Sequence, residues 1–143
     1  MGKILGIKIQ NYGSLKDVQV GQVFSRREIA PLGNMVAIIG PSGNGKSTLA
    51  DVFGFISDCL ARDVESACDS NNRGGFDQII SQGSDKTIHF EIYYRETSNT
   101  CPITYELSIA ADKNGRPYVK EERLRQRWPG RVNGRPLSIL KLE

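Results

Sequence analysis

The sequence predicts an α/β chain organised around one strand–loop–helix unit, and three observations carry that prediction. Met35–Ile39 is a short, uninterrupted apolar run, the pattern of a strand covered on both faces. It leads directly into a glycine-rich stretch, Gly40-Pro41-Ser42-Gly43-Asn44-Gly45-Lys46-Ser47-Thr48. Beyond it, Leu49, Val52, Phe53, Ile56 and Leu60 recur at steps of three and four, the apolar stripe of a helix.

The flanking elements are antiparallel strands. In Lys3–Tyr12, Leu5, Ile7 and Ile9 alternate with Ile4, Gly6 and Lys8, so the first set is the buried face of a strand. Gly13-Ser14 turns the chain, and Val18, Val20 and Val23 belong to a second strand antiparallel to the first. Pro31 and Gly33 break the loop that follows. The helix is expected to run to Cys68, with Asp51 and Asp58 off its stripe, and to stop in the Asn- and Gly-rich stretch 69–75. Residues 76–81 allow one more helical turn. Ile88, Phe90, Ile92 and Tyr94 then alternate with His89, Glu91, Tyr93 and Arg95; Tyr105, Leu107 and Ile109 mark another strand, and 117–128 a third. These three form an antiparallel meander, and the turn-rich end carries a short apolar run at Leu137–Leu142. The expected organisation is one lobe over 1–143: a strand pair and loop (1–33), the strand–loop–helix unit (34–68), and a loop and meander (69–143).

A chain of 143 residues with 38% hydrophobic and 24% charged residues is an ordinary globular domain or one lobe of a larger one. The net charge of +3 does not by itself argue for a polyanionic partner. From Lys113 onward, however, nine basic residues face three acidic ones, a local balance of +6. That is either a solvated basic surface or a patch for DNA or another polyanion. Cys59, Cys68 and Cys101 are odd in number and widely spaced, and His89 is the sole histidine. That speaks against zinc and against a disulfide framework, and it fits a reducing cytoplasmic setting. His89 reads as structural, and Glu91, Glu121 and Glu122 as surface charges. Gln78 and Gln82 read as polar loop residues. No apolar run is long enough to span a membrane. Leu142-Glu143 is compatible with a cloning remnant.

Gly40 to Thr48 satisfy G-x-x-x-x-G-K-[ST]. Each residue type has a physical task. Gly40, Gly43 and Gly45 let the backbone curl closely around an anion, and the curled amides form a cationic nest with Pro41, Ser42 and Asn44 completing the loop. The helix starting at Lys46 adds its positive end. Lys46 reaches β- and γ-phosphates, Ser47 ligates Mg²⁺, and Thr48 adds a phosphate contact. The expected ligands are therefore ATP, or another nucleoside triphosphate, and Mg²⁺.

An antiparallel pair ahead of this loop resembles the ATP-binding-cassette class in its broad sense. The segment from Ile4 to Val20 resembles the opening of RecF/SMC-like ATPases, and Arg73-Gly74-Gly75-Phe76 with the following strand resembles the predicted-ATPase branch of that group. Gly13 departs from the pattern, since many relatives carry an arginine there. Asn11, Tyr12 and Ser14 are then the turn residues that neighbour the nucleotide. The resemblance implies the P-loop NTPase lobe of ABC/SMC type, dimerisation through the nucleotide site, and work in DNA repair, chromosome maintenance or defence. No LSGGQ-type segment and no apolar strand ending in Asp-Glu occurs in the sequence, so hydrolysis by this lobe alone is not expected, and the chain reads as part of a longer ATPase. An ABC-transporter nucleotide-binding domain, a small-molecule kinase and a nucleotide-gated interaction module are the other readings. The strand order disfavours the kinase.

Overall fold

The computed structural model describes residues 2–26, 28–41, 43, 45–127 and 137–142. Its strands are β1 (Lys3–Tyr12), β2 (Leu15–Gly21), β3 (Thr87–Arg95), β4 (Ile103–Ala111), β5 (Pro117–Gln126) and β6 (Leu137–Leu142). Between β2 and β3 lie the helices α1 (Lys46–Ala61), α2 (Val64–Asp69) and α3 (Phe76–Ile79). The strands form one sheet in the order β2-β1-β3-β4-β5-β6, and every pairing is antiparallel.

The expected alternation in β1 is realised, with Leu5, Ile7 and Ile9 buried. The β1–β2 pair forms with Val18 and Val20, but β2 ends at Gly21, so Val23 lies beyond it in an isolated bridge to Arg26. The β3–β4–β5 meander forms as expected, and the run at Leu137–Leu142 extends it as β6. Trp128, the expected end of the third meander strand, lies outside the described residues. The turn at 112–116 closes because Asp112 Oδ1 accepts the backbone N–H groups of Asn114 (2.8 Å) and Arg116 (3.0 Å).

Helix α1 lies on one face of the sheet. Leu49, Val52, Phe55 and Ile56 meet Ile7, Ile9, Ile88, Phe90, Leu107 and Ile109 in one apolar core. An aromatic cluster of Tyr12, Phe55 and Phe90, with centroids 5.3–5.9 Å apart, sits at its centre.

Three expectations about the strand–loop–helix unit need correction. First, Met35–Ile39 is not a strand: the segment is irregular, with Met35 and Ile39 exposed at 93% and 92%. A strand buried on both faces needs ladder partners and cover on both sides, and this segment pairs with none of the six described strands and is left exposed. Second, the buried stripe of α1 contains Phe55 instead of Phe53, and Leu60 is exposed. The face that meets the sheet is rotated by about 50° from the expected one, within what a 3.6-residue period allows. Third, the helix does not run to Cys68. Asp63 breaks it by capping α2, accepting from Ser66 N–H (2.7 Å) and Ser66 Oγ (2.8 Å).

The other face of the sheet is not simply solvated. Glu91, Thr104 and Ser108 are buried on it, and Phe24 packs there under the guanidinium groups of Arg125 (5.4 Å) and Arg127 (5.1 Å). Glu91 is therefore not the surface charge expected from its strand pattern; the loop after β2 comes back over the sheet and covers it.

The core assignment has a direct test. Phe55→Ala should cost about 3–5 kcal/mol by urea denaturation, whereas Phe53→Ala should cost under about 1 kcal/mol. Equal losses at the two positions would contradict the orientation of α1.

Candidate functional site

The glycine-rich loop ends where α1 begins. Gly45, immediately before the helix, has φ +83°. A Cβ there would also lie 3.1 Å from Leu15 Cδ2 and 3.2 Å from Ser14 Oγ, so the conformation favours glycine and the space for a larger residue is tight. Helix α1 has no side-chain cap and no acidic residue in its first turn. Its positive end is thus uncompensated by any carboxylate of its own, an arrangement able to accept an anion. Lys46 turns back over the loop, its Nζ donating to the carbonyl oxygens of Gly40 and Pro41, the latter at 2.7 Å. Ser47 is exposed at the helix start. An open cavity of about 250 Å³ is lined by Ser14, Gly43, Gly45, Lys46, Ser47 and Thr48. Ser42 and Asn44 lie outside the described residues, and Gly40 and Pro41 meet Lys46 as stated.

The β1–β2 turn leans on this helix end. Ser14 Oγ stands 3.5 Å from Thr48 Oγ1. Gly13 has φ +56°, and a Cβ on it would meet Thr48 Cγ2 at 3.1 Å. An arginine at this position would be strained and crowded, which gives a physical reason for the glycine. The turn is held from below by residues 79–81: Gly13 N–H donates to Ile79 O (2.6 Å), Ser81 N–H to Asn11 O (3.0 Å) and Ser81 Oγ to Gly13 O (2.6 Å). Of the three turn residues singled out by sequence, only Ser14 lines the cavity. Asn11 is tied to Asp85 (3.0 Å) and Thr87 O (2.9 Å), and Tyr12 is buried in the core. Gln78 and Gln82 are both exposed and do not line the cavity.

Behind the helix end lies an ionic centre that sequence reasoning missed. Arg73 is buried. Its Nε and Nη2 donate to the Asp51 carboxylate at 2.8–3.2 Å, and its Nη1 donates to Asp58 Oδ2 (2.8 Å) and Ala67 O (2.9 Å). The guanidinium also lies 5.4 Å above the Phe55 ring. Tyr12 OH donates to Asp51 Oδ2 at 2.6 Å. These bonds fasten α1 to the loop after α2 and to the end of β1. Hydrogen bonds from Arg73 hold both Asp51 and Asp58 below the usual carboxylate range. Burial, reinforced by Asp51, pushes the Tyr12 phenol well above its ordinary value. The available signal was two aspartates seven residues apart, on one side of a helix and off its apolar stripe, followed by a single arginine in a glycine-rich turn.

His89, Glu91 and Glu106 come together on the opposite face of the sheet, each offering a ligand atom within 4.8 Å of the others. Glu91 and Glu106 are directly paired across β3 and β4, flanked in the same row by Lys8 and Arg123. Arg125 also contacts Glu106 at 3.0 Å, and Ser108 bonds His89 Nδ1 at 2.7 Å. The two carboxylates of this row thus stand between two basic residues, and His89 is half-buried beside them. Burial pushes the Glu91 carboxyl up and the His89 imidazole down. The basic C-terminal third is likewise partly neutralised: Arg123 pairs with Glu121 (2.8 Å), Arg125 with Glu106 and Arg116 with Glu65 (3.8 Å), while Arg131 and Arg135 lie outside the described residues. Glu122 accepts from Tyr105 OH at 2.7 Å, so it too is more than a free surface charge. Cys59 and Cys68 pack at the core, where burial pushes both thiols up to about 12. No helix among the described residues is long and apolar enough to cross a membrane.

Comparison with known proteins gives one weak similarity. The chain is 38% identical over 55 residues to Structural maintenance of chromosomes protein 1 of Arabidopsis thaliana. That match covers 38% of this chain and 4% of the plant protein, so the chain spans only a small fraction of its relative. No family model matches the chain, and no solved structure gives a significant match. The similarity hints at an SMC-like relation.

The ionic centre makes a pH prediction. Because Asp51 and Asp58 have depressed values in the fold, the unfolded chain binds more protons, and stability rises with pH. Their contribution is complete above the ordinary carboxylate value of about 4 and is lost as pH falls below it. In Arg73→Gln, melting temperature should drop at pH 7, and its dependence on pH between about 2 and 6 should flatten. An unchanged acid limb in the variant would refute this account.

Proposed function

We propose that this chain is the nucleoside-triphosphate-binding lobe of an SMC/RecF-like ATPase. The observation that carries the reading is the Gly40–Thr48 motif set at the uncapped start of α1, with Lys46 and the exposed Ser47 bordering one cavity. The similarity to an SMC protein supports it. In this reading ATP places its β- and γ-phosphates against Gly43, Gly45 and Lys46. Ser47 and Thr48 offer hydroxyls, and Ser14 closes the side of the cavity formed by the β1–β2 turn.

Mg²⁺ fits the same site through the Ser47 hydroxyl, where it would neutralise phosphate charge. Lys46 must exchange its bonds to Gly40 O and Pro41 O for the phosphate, a change from neutral to charged acceptors that favours the bound state. The exposed run Met35–Ile39 supports a further part of the reading. Such a segment becomes a buried strand once strands from another part of the ATPase supply its ladder. The water-polarising carboxylate and the signature segment come with those parts, and dimerisation through the nucleotide completes the site. Chromosome maintenance, DNA repair or defence is the setting this class implies.

Calorimetric titration tests the reading. MgATP should bind the chain, and Lys46→Ala should weaken binding at least tenfold without lowering the melting temperature by more than a few degrees. The chain alone should show no steady ATP hydrolysis. Nucleotide binding untouched by Lys46→Ala, or turnover that this substitution abolishes, would overturn the corresponding half of the proposal.

A further inference from the structure

A second polar cavity, of about 480 Å³, opens at the other end of β1. It is lined by Lys3, Leu5, Pro31, Asn34, Arg95, Thr97 and Ser98. Nine strand steps separate Lys3 from Tyr12, or roughly 30 Å, so this cavity is well removed from the Lys46 loop. No carboxylate lines it. Lys3 and Arg95 face each other directly across β1 and β3. Like charges placed opposite one another in a sheet repel, and sheets ordinarily avoid or compensate such pairs.

Elsewhere compensation is present. Arg123 and Arg125 contact Glu106, Arg73 holds two aspartates, and Arg62 and Arg116 each meet a carboxylate. Among the described residues Lys3 and Arg95 have no ion pair. The Arg95 Nε, like those of Arg123 and Arg125, is shielded from solvent without a hydrogen-bond partner, but among the described residues Arg95 has no carboxylate paired with it as those two have. A shielded, unsatisfied donor of a charged group next to a second cation is the local condition that an anion relieves.

From this geometry we infer an anion site that takes a phosphate group, with Arg95 and Lys3 as its charges. The guanidinium supplies a planar fork of donors, and Lys3 a compact charge. Thr97, Ser98 and Asn34 add hydroxyl and amide donors suited to several oxygens on one centre. Leu5 and Pro31 provide an apolar wall. The phosphate is either free, as in a small phosphorylated molecule, or part of a nucleic-acid backbone, and both satisfy the same donors. Asn34 directly precedes the Met35–Ile39 run that leads to Gly40, so an occupant of this cavity touches the segment that carries the nucleotide loop. This inference rests on the cavity itself and not on the nucleotide reading.

The test is a titration of the ¹⁵N-labelled chain with inorganic phosphate in low-salt buffer, followed by amide shifts. Saturable shifts at Lys3, Arg95, Thr97 and Ser98 are expected. They should persist in Lys46→Ala, which separates them from shifts at Gly43–Thr48. Arg95→Gln should weaken the response roughly ten- to a hundredfold. Lys3→Gln should weaken it less and serves as the check should Arg95→Gln destabilise the sheet. A short DNA duplex that displaces phosphate from these residues assigns the backbone as the source; failure to displace it assigns a free phosphorylated molecule. No shifts at these residues, or shifts equal in the parent and both variants, would overturn the site.

Discussion

Burying a guanidinium is costly unless its donors are met, and here they are met from three directions. Arg73 binds Asp51 in α1, Asp58 two turns further along the same helix and the carbonyl of Ala67 in α2. Asp51 in turn holds the phenol of Tyr12 at the end of β1. Once these bonds exist, the rotation of α1 about its axis is no longer free. Phe55 must face the sheet, Leu49 and Val52 follow, and the first turn of the helix is brought under the β1–β2 turn. The Ser14–Thr48 approach and the absence of a side chain at Gly13 are consequences of that placement. The apolar core contributes most of the burial, but the ionic centre selects which way the helix lies within it.

What was legible in the sequence follows the range over which its cause acts. Leu5, Ile7 and Ile9 were readable because alternation along one strand is a local pattern. The helix start was readable because the residues that form it are adjacent. The burial of Glu91 was not, because the cover comes from Phe24, far away in sequence and brought over the sheet by a loop. Phe55 was displaced by Phe53 in the expected stripe for the same reason: both fit a helical period, and contacts with Tyr12, Arg73 and Phe90, distant in sequence, choose between them. The Met35–Ile39 run shows the converse limit. Its composition states a preference for a covered strand, yet a strand also needs a neighbour. Ser14 was legible through resemblance alone, since nothing in its immediate sequence says that the turn meets Thr48.

The two ends of β1 carry different chemistry on one rigid element. At Tyr12 the strand terminates in a turn fixed by residues 79–81 and pressed against a helix N-terminus. At Lys3 it borders a cationic hollow whose far wall includes Asn34. The chain from Asn34 to Gly40 joins the two regions by a second, non-helical route. A sheet strand transmits position with little give, whereas the irregular 34–40 segment has no ladder to hold it. Of the two connections, the second is therefore the one that a bound group at either end could shift.

That same segment has a consequence for how the chain behaves in solution. Asn34–Ile39 is uncharged, free of proline and rich in residues that favour extended backbone, with its main chain outside any ladder. These are the properties of a sequence that pairs with copies of itself when nothing else covers it. Colloidal behaviour is thus tied to cover: any partner that seated this run in a sheet would also remove an adhesive stretch from the surface. In a concentrated solution of this chain, clustering would begin here, at a short span immediately before the glycine-rich loop.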